Sequence, residues 1–235
     1  MLCSYTLRFV LLKHRKHKMK QAIIIANGDI PKKSQIKYLQ KIWYKKIIAA
    51  DGGANSARKL NIIPDVIIGD LDSITKENFN YFRKKTKIIK HKRQNDTDVE
   101  KSLKYLISKN FKEVVLLGST GNRLDHTICN LGIVLKYFNK IRISILHGNS
   151  FLKAFSKNIT LKTIPGEIVS LYGFNNKTKI KSYGLKYPLN NIALPFGQRE
   201  STSNVAKGKE VKLKINGGIV FVIRDFKTMR KNDFI

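Results

Sequence analysis

The stretch "VIIGDLDSI" (residues 66–74) joins a short apolar run to two aspartates, Asp70 and Asp72, which are separated by one residue. A run of this length that ends in glycine predicts a strand buried on both faces, as in a parallel sheet. The two carboxylates follow where that strand ends, although the chain carries a formal net charge of +30. Their position indicates a role beyond solubility.

The bulk composition indicates a soluble globular protein. The chain has 235 residues, of which 42% are apolar, so it can bury a core of one large or two modest domains. No apolar run approaches the roughly 20 residues that cross a bilayer. Two cysteines, Cys3 and Cys129, are too few for a disulfide framework and lack metal-site spacing. We expect a reducing, cytoplasmic location.

The basic excess has two interpretations. The 46 Lys and Arg residues against 16 Asp and Glu residues would suit a nucleic-acid or membrane-surface binder. However, the basic residues are spread along the chain, and aromatic residues are not interleaved with them as in RNA-binding modules. A compositional bias toward Lys, Ile and Asn explains the charge better, so we expect no nucleic-acid or membrane partner. The field would still attract a polyanion such as a nucleotide.

Residues 1–18 form a basic leader in which charge follows apolar residues, the reverse of a secretory signal. We expect this leader to be disordered, or Met19 to be the true start, because "MKQAIIIANG" opens directly into a strand.

Apolar runs alternate with amphipathic segments up to residue 148. This alternation predicts a parallel sheet with helices on both faces. The predicted strands are 21–29, 46–54, 65–70, 87–91, 113–119 and 142–148, and the predicted helices are 34–43, 55–61, 75–85, 96–109 and 126–138.

The pattern changes after about residue 150. Period-two alternation with Gly and Pro punctuation predicts an antiparallel sheet or β-sandwich. We therefore predict an α/β domain over 19–148 followed by a β-sandwich domain over 149–235. Within the latter, "INGGIVFVI" (215–223) predicts a hairpin with Asn216-Gly217 or Gly217-Gly218 at its turn.

Four polar clusters lie at the carboxyl ends of predicted strands: "ADGGAN" (50–55), "GDLDS" (69–73), "QNDTD" (94–98) and "GSTGNRLDH" (118–126). Since the carboxyl ends of parallel strands share one edge, we expect five aspartates on that rim. Like charges at such a rim cost stability unless a cation neutralises them. Oxygen donors without clustered Cys or His favour Mg²⁺ over zinc. The rim aspartates are Asp51, Asp70, Asp72, Asp98 and Asp125, and we predict Asp70, Asp72 and Asp98 as the metal ligands.

Other residues of these clusters suit phosphate binding. Arg123 can make a bidentate phosphate contact. Each cluster taken alone also fits a turn or a helix cap, and we expect Ser73 to cap the helix over 75–85 and Asp or Thr of "DTD" to cap the next helix. Neither a P-loop nor a dinucleotide fingerprint is present. The glycines that permit close backbone approach to phosphate are Gly52, Gly53, Gly69, Gly118 and Gly121.

Together with "YGLKYPL" (183–189) and "ESTSN" (200–204), these motifs resemble the thiamin pyrophosphokinase (thiamine diphosphokinase) family over nearly all of residues 20–223. The resemblance implies an ATP-binding catalytic domain, then a thiamine-binding β-sandwich, in a homodimer. It implies transfer of the diphosphate of ATP to the hydroxyl of thiamine, with Mg²⁺ as cofactor and AMP released.

The resemblance also implies site residues. Asp70, Asp72 and Asp98 fall on metal and phosphate positions and, with Arg123, form the expected catalytic group; the proton acceptor stays open between Asp72 and Asp98. Tyr187 stands where some relatives carry Trp and would either stack on thiamine or be a core aromatic. The expected nucleotide-binding residues are Asp51, Gly52, Gly53, Asn55, Thr97, Gly118, Arg123 and Asp125, and the expected thiamine-binding residues are Tyr187, Ser201, Thr202, Ser203 and Asn204.

The sequence departs from the family at one position. Relatives often carry an acid two residues before the Thr of "TD", where this chain has Asn95. Either that position is not a metal ligand, or Asp96 replaces it.

Two rival functions stay open. A pterin diphosphokinase would share the acidic rim but not the "STSN" segment. A nucleic-acid-binding module would explain the charge but not the aspartates.

Overall fold

The structure, a computed structural model, describes residues 19–91, 95–121 and 123–231. The predicted leader over residues 1–18 lies outside the described residues. The chain divides between Ile143 and Ser144 into two compact units.

The first unit alternates strands and helices as predicted. Its strands β1 to β5 form a parallel sheet in the order β5-β1-β2-β3-β4. The interior strand β1, which pairs with β5 and β2, is buried along its whole length, in keeping with its apolar residues after Gln21. The strands are β1 (Gln21–Ile25), β2 (Lys46–Ala50), β3 (Val66–Gly69), β4 (Lys87–Lys90) and β5 (Glu113–Leu117), and the helices are α1 (Lys33–Lys41), α2 (Gly53–Lys59), α3 (Lys76–Phe82), α4 (Asp98–Ser108) and α5 (Leu124–Lys136).

The caps of two helices differ in how well the sequence predicts them. Thr97 caps α4, as one of the two predicted choices, by accepting a hydrogen bond from the Glu100 N–H. The prediction for α3 is wrong, because Thr75 and not Ser73 accepts the capping bond, from the Asn78 N–H at 3.3 Å. Ser73 lies in the preceding loop, where its hydroxyl donates to Asp72.

The second unit consists of antiparallel strands and one short helix, α6 (Phe226–Lys231). One sheet places β12, β9, β14, β7 and β6 side by side, and the other has the order β11-β10-β13-β8. The strands are β6 (Arg142–His147, which begins in the first unit), β7 (Ser150–Phe155), β8 (Ile159–Lys162), β9 (Ile168–Tyr172), β10 (Lys179–Tyr183), β11 (Ile192–Ala193), β12 (Ser201–Val205), β13 (Glu210–Asn216) and β14 (Val220–Asp225).

Both sheets of the second unit contribute to one apolar core. Leu161, Ile180 and Val211 come from the four-stranded sheet, and Val169 and Val222 come from the other sheet. Every second residue of a strand faces this core, which explains the period-two pattern. The predicted β-sandwich is confirmed.

The predicted hairpin at "INGGIVFVI" is wrong. β13 pairs with β10 and β8, whereas β14 pairs with β7 and β9. The connection, where Gly217 has a φ of +84°, carries the chain from one sheet to the other. Leu213 and Val222 thereby enter the core from opposite sides, which hairpin pairing would prevent.

Among the described residues, no helix is both long and apolar enough to span a bilayer.

Candidate active site

Three aspartates meet at the carboxyl edge of the parallel sheet. Asp51 follows β2, Asp70 follows β3, and Asp98 begins α4. Each offers a carboxylate oxygen within 4.8 Å of the others. The structure thus brings together Asp70 and Asp98, two of the predicted ligands, but places Asp51 beside them instead of Asp72.

Asp51 organises the loop that carries the other acids. Its side chain is buried, and its carboxylate accepts backbone hydrogen bonds from Asp72 and Ser73 at 3.2 Å and from Ile74 at 3.0 Å. The loop after β3 is therefore wrapped around the Asp51 carboxylate, which fixes where Asp70 points.

Burial also raises the pKa of Asp51 to about 6, against the opposing effect of the backbone hydrogen bond from Ser73. The negative charge of Asp98 and a hydrogen bond to Asp70 raise this pKa further. For Asp70, burial acts upward, but the Asp51 hydrogen bond and the Lys101 charge bring the pKa below its ordinary value. The two neighbouring acids therefore differ: the pKa of Asp51 lies above its ordinary value and that of Asp70 lies below it.

Lys101 supplies a positive charge that sequence reasoning missed. Its ammonium lies 2.7 Å from Asp98 Oδ1 and 3.7 Å from Asp70 Oδ2, and its side chain is only 5% exposed. Burial acts to lower the pKa of Lys101, but the two carboxylates outweigh it and the pKa is raised. The available signal was the i, i+3 spacing from Asp98, which places both residues on one helix face.

Asp72 lies outside the three-aspartate cluster. It is exposed, and its carboxylate accepts a hydrogen bond from the Ser73 hydroxyl at 2.8 Å. Asp96, the predicted substitute ligand, is paired with Lys104 at 2.7 Å and is not one of the three clustered acids.

Arg123 and Asp125 form an ion pair at the start of α5. The Arg123 Nη2 atom lies 2.6 Å from Asp125 Oδ2, and Nε lies 2.9 Å from Oδ1. The hydrogen bonds from Arg123 hold the pKa of Asp125 well below its usual range. Both side chains are more than three-fifths exposed, so the guanidinium is accessible to an arriving anion.

Two predicted nucleotide contacts are engaged within the protein. The Asn55 side chain donates to the Ser73 carbonyl at 2.9 Å and accepts from the Thr75 N–H at 3.1 Å and from the Asn78 side chain at 2.9 Å. It holds the loop between β3 and α3, while Thr97 caps α4. These bonds give both residues a structural role at the rim.

The glycines of the predicted phosphate cradle also have packing roles. A Cβ on Gly53 would overlap the Ile25 carbonyl oxygen, and one on Gly69 would lie 2.6 Å from the Asp51 Cβ. A Cβ on Gly52 would meet the Asn27 side chain, while Gly118 has a φ of +61° and packs against the Ala26 carbonyl. Protein atoms therefore already occupy the space into which a Cβ on each of these glycines would project.

The aspartate cluster fits a divalent cation. Asp70 Oδ1 is buried and has no hydrogen-bond partner within the part of the chain that the structure describes. An unpartnered buried carboxylate oxygen is costly unless a cation or donor reaches it. Three carboxylates this close are the hard-oxygen set that Mg²⁺ prefers. Lys101 neutralises only part of their charge.

The predicted thiamine-binding residues lie in the second unit. The pairing of β12 with β9 shifts register between Ser201 and Asn204, which leaves Thr202 and Ser203 exposed on a bulge. Ser203 has a φ of +55° and donates its N–H to the Ser170 hydroxyl at 3.0 Å. The bulge thus presents two hydroxyl side chains to solvent.

Asn204 is buried and anchors Tyr187. Its side-chain oxygen accepts the Tyr187 N–H at 3.1 Å, and its side-chain nitrogen donates to the Tyr187 carbonyl at 2.7 Å and to Ser201 Oγ at 3.0 Å. Tyr187 itself is 59% exposed, which removes the alternative of a core aromatic.

Two family models match the chain. Residues 39–145 match "Thiamin pyrophosphokinase, catalytic domain", and residues 157–220 match "Thiamin pyrophosphokinase, vitamin B1 binding domain". The chain belongs to the thiamin pyrophosphokinase family. The predicted family and the predicted enzyme class, a thiamine diphosphokinase, are confirmed. The assignment favours this class over the pterin and nucleic-acid alternatives.

Individual relatives match over most of their length. Thiamin pyrophosphokinase 1 of Caenorhabditis elegans is 29% identical over 203 residues, which cover 78% of this chain and 82% of the relative. Thiamine pyrophosphokinase of Bacillus subtilis is 25% identical over 223 residues, covering 88% and 99%.

Solved structures share the fold. The crystal structure of yeast thiamin pyrophosphokinase superimposes with a TM-score of 0.76 at 20% identity, covering 95% of this chain and 92% of that one. The Bacillus subtilis enzyme gives a TM-score of 0.74 at 24% identity, covering 88% and 99%.

Proposed function

We propose that the chain transfers the diphosphate group of ATP to the hydroxyl of thiamine, giving thiamine diphosphate and AMP. The thiamine oxygen forms a bond to the β-phosphorus, the bond from that phosphorus to the α,β-bridging oxygen breaks, and the hydroxyl proton leaves. The observation that supports this most directly is the Asp51–Asp70–Asp98 cluster inside the segment that matches the family's catalytic domain.

Asp70 and Asp98 would hold Mg²⁺, with Asp51 or Asp72 as the third carboxylate. The Asp70 Oδ1 atom that lacks a partner among the described residues supports this placement. When bound, Mg²⁺ would neutralise charge on the phosphate oxygens.

Cationic side chains of the rim orient the phosphates. Arg123 exchanges its bond to Asp125 for a bidentate contact to phosphate, which its exposure permits. Lys101 stays fixed between Asp98 and Asp70 and contributes positive charge at the edge where the triphosphate lies. Positioning and charge neutralisation therefore carry most of the rate.

Asp72 is the better candidate for proton acceptor. Asp98 is bound to the Lys101 ammonium at 2.7 Å, which makes its carboxylate a weaker base. Asp72 is exposed and bonded only to a neutral hydroxyl among the contacts described for its side chain. It also lies in the loop that begins at the metal ligand Asp70.

Thiamine binds to residues of the β-sandwich domain over 149–235, while residues 19–148 bind ATP. The exposed Tyr187 ring would stack on the substrate, and Thr202 and Ser203 would donate or accept hydrogen bonds from the bulge of β12. Asn204 acts indirectly, because it holds the Tyr187 backbone, and Ser201 supports it by accepting a hydrogen bond from the Asn204 side chain.

The family resemblance further supports a homodimer in the cytoplasm. Two apolar side chains one turn apart on α5, Leu124 and Ile128, are 69% and 63% exposed and would be covered by a second copy. Light scattering of the purified chain should give twice the monomer mass, and a monomer at assay concentration would contradict this assignment. Cell fractionation checks the location.

The function is tested by incubating the full chain with thiamine and Mg-ATP and quantifying products by mass spectrometry. We expect thiamine diphosphate and AMP in equal amounts and no product from a hydroxymethylpterin acceptor. Formation of ADP with thiamine monophosphate would contradict diphosphate transfer. Turnover of the pterin but not of thiamine would contradict the substrate.

A further inference from the structure

A cavity lies at the opposite end of the parallel sheet from the aspartate cluster. Its volume is about 310 Å³, and its lining includes Gln21 and Lys46, the first residues of β1 and β2, and Asp65, which precedes β3. The aspartates lie at the carboxyl ends of the strands, whereas this cavity opens at their amino ends. Its volume falls at the small end of known ligand pockets.

Two aromatic rings line the cavity, those of Trp43 and Phe111. Trp43 has a φ of +87°, which is a costly backbone conformation for a bulky side chain. The next residue, Tyr44, is buried and donates its hydroxyl to Glu113 Oε1 at 2.7 Å, so the chain leaving α1 is firmly anchored. The fold thus maintains a strained conformation that leaves the indole 41% exposed at the cavity.

The charged lining is predominantly positive. Lys20, Lys45 and Lys46 face a single acid, Asp65, which pairs with Lys46 at 3.1 Å. The ammonium groups of Lys20 and Lys45 lie 5.9 and 5.6 Å from the centroids of the Phe111 and Trp43 rings. Each aromatic ring therefore has a cation next to it, and the surplus charge favours an anionic ligand.

Gln21, one of the residues that line the cavity, carries an unsatisfied acceptor. Gln21 is only 7% exposed, and its side-chain nitrogen donates to Glu113 Oε2 at 3.2 Å. Its side-chain oxygen is buried without a hydrogen-bond partner in the described parts of the chain. A buried amide oxygen of this kind costs free energy until an N–H or O–H donor reaches it.

From these features we propose that the cavity binds a nucleoside phosphate, at a site separate from the catalytic rim. The base packs against Trp43 and Phe111, with its polar edge toward the Gln21 side chain, which also lines the cavity. The phosphate is bound by Lys20 and Lys45. A nucleoside phosphate combines a planar base, polar groups on the edge of that base and an anionic phosphate. These match the aromatic rings, the Gln21 side chain and the lysines that line the cavity.

Trp43 is the only tryptophan in the chain, so its fluorescence reports on this cavity directly. AMP is titrated into the full chain without thiamine or metal. Adenosine and inorganic phosphate are titrated separately, as probes of the nucleoside and phosphate parts of AMP. We expect saturable quenching by AMP, and binding at least about tenfold weaker for either part alone. Absent or non-saturable quenching, or equal binding of inorganic phosphate, would overturn the proposal.

Variants separate this cavity from the catalytic rim, where AMP also binds as product. Lys45→Glu and Phe111→Leu should each weaken AMP binding about tenfold, while Lys157→Glu, an exposed charge reversal outside the cavity lining, should not. Thiamine diphosphate formation without added AMP should be unchanged in Lys45→Glu. The quench should persist in Arg123→Ala, which lacks the proposed phosphate contact of the rim, and its loss there would assign it to the rim.

Since Lys45→Glu also alters the surroundings of Trp43, calorimetry of AMP binding to Arg123→Ala and to the Lys45→Glu, Arg123→Ala double variant provides a readout independent of fluorescence. AMP binding that survives in the double variant at full affinity would contradict the site.

Discussion

The Lys101 ammonium lies 2.7 Å from the Asp98 carboxylate, one turn along the same helix α4. The same ammonium is 3.7 Å from Asp70, which belongs to the loop after β3. Lys101 therefore links two acids that come from different parts of the chain. Its charge offsets their mutual repulsion when no metal ion is bound, and it lies where the phosphates of ATP are proposed to bind.

Replacing Lys101 with Met should lower kcat/KM on the order of 100-fold, because a positive charge at the phosphates is lost. It should also lower the free energy of unfolding by about 2 kcal/mol, since Asp98 loses its buried partner. Lys104→Met is the matched control, because Lys104 lies on the same helix and pairs with Asp96 just before it, but its side chain is 46% exposed. Equal effects of the two variants on AMP release would contradict the role of Lys101.

Asp72→Asn and Asp51→Asn should separate catalysis from stability. Asp72 is exposed, so its variant should unfold like the wild type but lose activity as the proposed proton acceptor, about 100-fold. Asp51 accepts three backbone N–H groups, so its variant should also lose about 2 kcal/mol of stability. Urea unfolding and AMP release measure the two effects. Normal turnover in Asp72→Asn would exclude that residue as the base.

Magnesium binding should depend on pH through Asp51. Burial raises the pKa of Asp51 to about 6, so near pH 6 about half of the metal-free protein carries a proton there. If Asp51 is a ligand, the metal must displace this proton, and affinity should rise as the pH increases through 6. Calorimetry at pH 6 in buffers of different ionisation enthalpy should detect the released proton. No release in wild type would remove Asp51 from the ligand set.

Much of this site was predictable because it follows from strand order. Asp70 and Asp98 lie far apart in the sequence, yet the rule that parallel strands share a carboxyl edge brings them together. The third acid was not predictable in the same way. The loop turns at Leu71, whose φ is +69°, and the Asp51 carboxylate holds the backbone of the loop around itself. Which of two nearby acids points inward depends on that turn, and neither periodicity nor spacing encodes it.

The second unit shows a similar division. Alternating apolar residues correctly predicted two facing antiparallel sheets, because each strand buries every second side chain. The prediction failed at "INGGIVFVI" (215–223), where the turn residues Asn216, Gly217 and Gly218 indicate a hairpin. In the structure, β13 pairs with β10 and β8, whereas β14 pairs with β7 and β9. The turn residues alone do not determine which of these strands pair with β13 and β14.

Arg123→Ala should change activity without changing stability. Its ion pair with Asp125 is exposed, so removing it should alter the free energy of unfolding by less than about 0.5 kcal/mol. Loss of a bidentate phosphate contact should raise KM for ATP and lower kcat/KM at least tenfold. Steady-state assays at several ATP concentrations measure this, with Lys140→Ala, an exposed cation after α5, as control. Unaltered kinetics would remove Arg123 from the site.

Gly53→Ala should destabilise the chain through packing at the edge of the site. The added Cβ would overlap the Ile25 carbonyl oxygen, so β1 and the start of α2 would have to separate, at a cost of about 3 kcal/mol. Gly132→Ala is the matched control, because that glycine lies within α5 and the added carbon meets no atom within 4 Å other than its chain neighbours and the backbone of its own helix. Alanine there should stabilise the helix by up to about 1 kcal/mol. Urea unfolding measures both, and a Gly53→Ala midpoint equal to that of the wild type would show that the contact between α2 and β1 is not as close as described.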